Sequence, residues 1–192
     1  GEITSPDFIN KFEDFLDEMS KVEFVGVNQD GSLNQSGTLN LSKISKLILR
    51  NEKVIEDIND KYDLLITDND NNFIPDNQNQ IETMIKYGID NGISSDGEYS
   101  FDPLWFQRYF WYNQELDNDY TSILMVFLSG TRTEDDVSKV RNEITKLVDR
   151  YNFEKDDVNV GITGSPFSRS DQLNATTDSM RRSIPYAFIA SF

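Results

Sequence analysis

The sequence predicts an α+β protein built from two βαβ halves, and two observations carry that expectation. A helix-period apolar stripe runs into a Val-rich alternating stretch twice, once over residues 5–28 and again over residues 133–164. Ahead of the second copy stands a further apolar run, residues 121–128, and the residues before Ser5 read as the stub of a matching lost strand. Two such halves side by side give a ferredoxin-like split βαβ sheet with both helices on one face, an arrangement that buries each helical stripe. The organisation expected is a first half over residues 1–28, a long and mainly helical insertion over 29–119, a second half over 120–166, and a helix over 167–192 leading into a truncated membrane span.

Each element has a local reason. Ser5 can cap a helix, Pro6 suits its first position and Asp7 favours its positive end, while Phe8, Ile9, Phe12, Phe15, Leu16 and Met19 recur at three and four. Residues 22–27 then alternate with β-branched and aromatic side chains, as a strand does. Residues 29–119 are too long for a plain loop and have turns rich in Asn, Asp, Gly and Ser. Within them Ile44, Leu47, Ile48, Ile55 and Ile58 suggest one helix. Ile81, Met84, Ile85 and Ile89 suggest a second, started from Asp76. A third begins at Asp102-Pro103 and carries the aromatic run through Tyr112. Residues 121–128 are too apolar to have one wet face and read as a central strand. Thr133 to Asp136 resembles a helix start, and Val137, Val140, Ile144, Leu147, Val148 and Tyr151 form the stripe that follows. Residues 158–163 alternate again and end at the Gly164-Ser165-Pro166 turn.

Composition excludes several function classes. The 192 residues contain no Cys and no His, so a Cys nucleophile, a Ser-His-Asp triad, a His-ligated metal and a haem axial His are all ruled out. With 18 Lys plus Arg against 34 Asp plus Glu, the net charge of −16 opposes nucleic acid, which rewards clustered cations. The absence of Cys leans toward an oxidising exterior. No basic start followed by an apolar stretch is present, so no signal peptide is expected, and the chain reads as cut from something longer. Residues 184–192 are nearly charge-free and apolar, where a membrane span needs about 20 such residues. From Thr163 onward Arg169, Arg181 and Arg182 outnumber Asp171 and Asp178, so this end is net positive.

The apolar run near residues 121–128, the helix with an acidic start, the stretch Val158-Asn159-Val160-Gly161-Ile162-Thr163-Gly164-Ser165-Pro166 and the entry Ser183-Ile184-Pro185-Tyr186-Ala187 resemble, taken together, the end of an extracytoplasmic porter loop. The loop is that of the resistance-nodulation-division (RND) superfamily, in its mycobacterial-membrane-protein-large and hydrophobe-exporter branches. The resemblance covers residues 120–192 best and residues 5–28 more loosely. The insertion matches only in being helical and variable. It implies a proton-driven membrane exporter of hydrophobic or amphiphilic molecules, such as lipids or drugs. This domain would lie on the outer or periplasmic face of the cell membrane, against the parent's transmembrane helices and its second extracytoplasmic loop. Family relay residues belong to transmembrane helices that are not among these residues, so none carries over. A stand-alone acidic surface module for binding or adhesion, anchored by a C-terminal helix, competes with this reading. A carboxylate-dependent hydrolase is the third.

The candidate contact residues are Trp105, Phe106, Tyr109, Phe110, Trp111 and Tyr112, which cover more than one helical face; one side can pack inward while another meets a greasy substrate or a neighbouring loop. Arg181, Arg182, Ile184, Pro185, Tyr186 and Phe188 are the expected membrane-proximal set, with the arginines anchoring at headgroups. No catalytic residue, metal or cofactor is expected. Asp68-Asn69-Asp70-Asn71-Asn72 invites a calcium reading, but Phe73 stands where the loop needs Gly and Asn79 where it needs a bidentate Glu, so a solvated turn is the better reading.

Overall fold

α1, Pro6–Met19, begins as its sequence dictates: the Ser5 hydroxyl accepts the Phe8 N–H at 3.1 Å and Pro6 opens the first turn. Its stripe buries Phe8, Ile9, Phe15 and Met19. The computed structural model describes residues 3–34, 39–94, 100–113, 119–130 and 133–162. Over these the order is α1, α2 (Leu41–Leu49), α3 (Glu52–Tyr62), α4 (Gln78–Asn91), β1 (Ile93–Ser94), β2 (Ser100–Phe101), α5 (Pro103–Tyr109), β3 (Phe110–Asn113), β4 (Asp119–Ser122), α6 (Glu134–Tyr151) and a 3-10 turn, Phe153–Asp156.

α1 holds the molecule from both sides. Toward α6, Phe15 meets Tyr151 edge-on at 5.4 Å and Phe153 edge-on at 5.2 Å, and Phe8 tilts against Phe153 at 5.7 Å. Such geometries match the ring quadrupoles as well as removing apolar area from water. α6 starts with a full capping box, Thr133 and Asp136 each bonding the other's backbone N–H. It ends at Asn152, whose left-handed conformation (φ 49°) turns the chain so that Phe153 drops into the aromatic cluster. Lys11 locks this corner, donating to the Asn152 carbonyl at 3.3 Å and to the Asp156 carboxylate while its ammonium lies over the Phe153 ring. Toward α2, Glu13 accepts from the Ser42 hydroxyl and pairs with Lys46.

The insertion folds as a helical layer on α1. Asn40, Asn51 and Asn77 cap α2, α3 and α4 by accepting the N–H three residues on. The apolar stripe expected as one helix from Ile44 to Ile58 is therefore two helices, broken where the Asn51 side chain starts a new one. α4 likewise is capped not by Asp76 but by the next residue, Asn77. Ile44, Ile48, Ile58, Ile81, Met84 and Ile85 form the layer's dry centre. Gln80 reaches from α4 to the Leu65 carbonyl and the Thr67 hydroxyl at 2.7 and 3.0 Å, tying down the connection from α3. α5 crosses α4 where Gly88 leaves room for the Phe106 ring: a Cβ built there would lie 2.2 Å from a ring carbon.

The ferredoxin-like α+β expectation is overturned. Among the described residues helices dominate, and strands form only two separate antiparallel hairpins, β1 with β2 and β3 with β4. Neither belongs to a shared sheet of two βαβ halves. The Val-rich stretches make isolated bridges instead, Val25 with Leu128 and Val27 with Leu33. Residues 158–162 enter no strand. Alternating residues alone do not make a sheet, because a strand is defined by a neighbour along its whole edge. The expected third insertion helix ends at Tyr109, and Phe110 and Trp111 belong to β3. The expected central strand lies half in water, with Ile123, Met125 and Phe127 exposed by 39, 40 and 42%. Residues 163–192, with the expected Gly164-Ser165-Pro166 turn and the expected helix over 167–192 leading into a truncated membrane span, lie outside the described residues.

Two outcomes are expected from equilibrium denaturation. Phe153→Ala removes a buried ring that three aromatic neighbours contact and costs about 3–5 kcal/mol. Gly88→Ala forces a methyl into the Phe106 ring and costs about 1–3 kcal/mol, most of it recovered when Phe106→Leu is added.

Candidate functional site

The aromatic segment is built by two glycines, one cap and a short helix. Gly92 ends α4 at φ +71°, where a Cβ would lie 2.4 Å from the Phe101 carbonyl oxygen, so the β1–β2 hairpin closes tightly against the helix end. Asp102 then caps α5, accepting the Trp105 N–H at 3.1 Å, and Pro103 fills the first position. Seven residues later the chain turns extended at Phe110 and pairs with β4 in the register Phe110 to Ser122 through Asn113 to Asp119.

This geometry sorts the six aromatic candidates. Phe106, Tyr109 and Phe110 are buried core, at 0, 7 and 1% exposure. Trp105 is half-buried on the rim: its ring stacks on Tyr109 at 6.2 Å, meets Phe101 edge-on, and carries the Arg108 guanidinium over its face at 5.4 Å. Leu104 beside it is 62% exposed. The outward part of the cluster is thus Trp105, Leu104 and Arg108, an apolar contact with one cation and no reacting group. Trp111 and Tyr112 are placed through their backbone in β3, opposite Thr121 and Tyr120. Arg181, Arg182, Ile184, Pro185, Tyr186 and Phe188 lie outside the described residues.

A shallow groove of about 330 Å³ runs between α1 and α6, lined by Lys11, Glu18, Arg150 and Tyr151. Its charges are engaged with one another: Lys11 with Asp156, and Arg150 with Glu18 at 3.4 Å. Lys21 hydrogen-bonds Glu18 and holds its carboxyl below the usual range, and burial pushes the Tyr151 phenol up. The other carboxyls with resolved shifts, Asp30 and Asp76, also move down, each held by hydrogen bonds. A general acid needs the opposite displacement.

The acidic turn is occupied by its own backbone. The two Asp68 oxygens accept the N–H groups of Asn72 and Phe73 at 3.1 and 2.9 Å, and Asp76 accepts the Asn69 N–H at 2.9 Å and its side-chain amide. Among the described residues no three carboxylates converge on a common point. These carboxylates replace missing strand or helix partners for the loop's own N–H groups.

One feature escaped the sequence reading, the exposed side of residues 123–127. Among the described residues few strands are available to cover it, because most of the apolar periods form helices. No protein-family model, curated protein or solved structure matches this chain.

The Asp76 carboxyl is held low first by the Thr67 hydroxyl and then by the Asn69 N–H. A lowered folded-state pKa gives stability that is full above the ordinary value of 3.8 and is lost as pH falls through the folded value. Asp76→Asn is expected to lower Tm at pH 7, and the gap from the parent chain is expected to close in thermal melts at about pH 2.

Proposed function

We propose that this chain is an extracytoplasmic domain of a proton-driven RND-type exporter of hydrophobic or amphiphilic molecules, forming part of the substrate path without an active site of its own. The observation that supports the reading most is a juxtaposition. The two stretches that carry the resemblance, far apart in sequence, lie against each other: α1 packs on α6, the Gly26 N–H donates to the Phe127 carbonyl at 2.7 Å, and the Ser129 N–H donates to the Phe24 carbonyl at 2.8 Å. Of the intervening helices α2 packs on α1, and α3 and α4 pack on α2. The outward aromatic surface at Trp105 and Leu104 is apolar, as a path for greasy molecules requires.

No helix among the described residues is long and apolar enough to cross a membrane. On this reading the spans belong to the parent transporter. The parent's coding sequence is then expected to show a hydrophobic span before this domain, a bundle of spans after it and a second loop of the same kind. Cells making that parent are expected to export hydrophobic dyes until a protonophore collapses the gradient, with export slowed several-fold by Trp105→Ala. A parent with one span or none, or dye export indifferent to the parent, overturns the proposal.

A further inference from the structure

The segment after β4 has one edge in use and one edge open. The Ile123 N–H donates to the Tyr109 carbonyl at 3.0 Å, the Phe127 carbonyl accepts from Gly26 at 2.7 Å, and the Ser129 N–H donates to the Phe24 carbonyl at 2.8 Å. All three are odd-numbered residues. In extended chain successive peptide groups point to opposite edges, so β3 and residues 24–26 occupy the same edge one after the other. The peptide groups of Leu124 and Val126 point to the other edge, and among the described residues they have no hydrogen-bond partner. The side chains alternate as well: Leu124, Val126 and Leu128 pack against the core, while Ile123, Met125 and Phe127 stand 39, 40 and 42% exposed.

Such an edge is ordinarily guarded by charge, proline or a bulge. Here residues 120–130 contain no charged residue and no proline, on a chain of net charge −16. We propose that this edge pairs with the same edge of a second copy of the chain, antiparallel about Met125. The segment is its own complement in that register. Leu124 of one copy lies opposite Val126 of the other, so the four outward peptide groups of each copy meet in four N–H to carbonyl bonds. Met125 meets Met125 and Ile123 meets Phe127 on the exposed face, and no like charges come together despite the acidity of both copies. The axis is two-fold and the contact closes on itself. Three half-exposed side chains and one strand edge make an interface well under the roughly 1,600 Å² of a standard complex, so the pairing is weak and concentration-dependent. This pairing does not depend on the exporter reading.

The absence of cysteine gives a clean test in the full 192-residue chain. Facing residues in a non-hydrogen-bonded antiparallel pair have Cα atoms about 4.5 Å apart, within the disulfide range. Under mild oxidation Met125→Cys is expected to form a covalent dimer at least about tenfold faster than Leu65→Cys, a control at a position 68% exposed on another face. Adding Leu124→Pro, which removes one outward N–H per copy, is expected to slow the Met125→Cys cross-link, with circular dichroism verifying the fold. Sedimentation equilibrium of the parent chain is expected to show dimer growing in above about 0.1 mM. A chain monomeric throughout, with the thiol at position 125 shielded from maleimide, places other residues of the chain over the edge. A monomer with that thiol reactive leaves the edge to a different protein. Either result overturns the pairing, as does equal cross-linking at positions 65 and 125.

Discussion

The described structure depends on α1 having two working faces. One carries Phe8 and Phe15 against the rings of Tyr151 and Phe153, and the other presents Glu13 to Ser42 and Lys46 of α2. Remove the first and α6 has no partner; remove the second and the helical layer loses its register on the rest. The aromatic side supplies most of the free energy, because ring burial is large and the ring contacts add to it. The polar side sets position, since a half-exposed ion pair contributes under about 1 kcal/mol and orients more than it stabilises.

Lys11 shows how the two kinds of interaction meet. Its ammonium reaches a carbonyl at the end of α6, a carboxylate in the 3-10 turn and the face of Phe153. These three partners fix the left-handed corner at Asn152. Without that corner the chain would leave α6 along its axis and Phe153 would miss the cluster. A lysine on a helix surface is seldom informative in sequence, and nothing in the spacing of Lys11 marked it.

The helices were legible where stripe and cap agreed. Ser5-Pro6-Asp7 and Thr133 to Asp136 combined both signals, and α1 and α6 begin there. The stripe from Ile44 to Ile58 misled because its period carries across the break at Asn51; only the capping role of that side chain separates α2 from α3. The aromatic run was legible as a cluster but not as a site. Helical spacing cannot say that Phe106 faces Gly88 while Trp105 faces outward, because that division is made by a glycine on another helix, α4.

The sheet was misread for a related reason. Period-two alternation reports which side of a segment is dry, but the uniformly apolar run 121–128 carries no such alternation, so it does not show that Leu124, Val126 and Leu128 face the core while Ile123, Met125 and Phe127 face water. Alternation is also silent about edges, and a sheet exists only where edges meet. In this chain the edges available to residues 123–129 are spent successively on Tyr109 and on residues 24–26, each for one or two bonds. A segment served piecemeal by two different neighbours joins no continuous sheet, and among the described residues its opposite edge has no partner. The run's uniform apolarity, read as a sign of burial on both faces, then has another physical basis. An uncharged stretch is what any surface needs where two acidic bodies must approach, since repulsion between copies carrying −16 each is least where neither presents a charge.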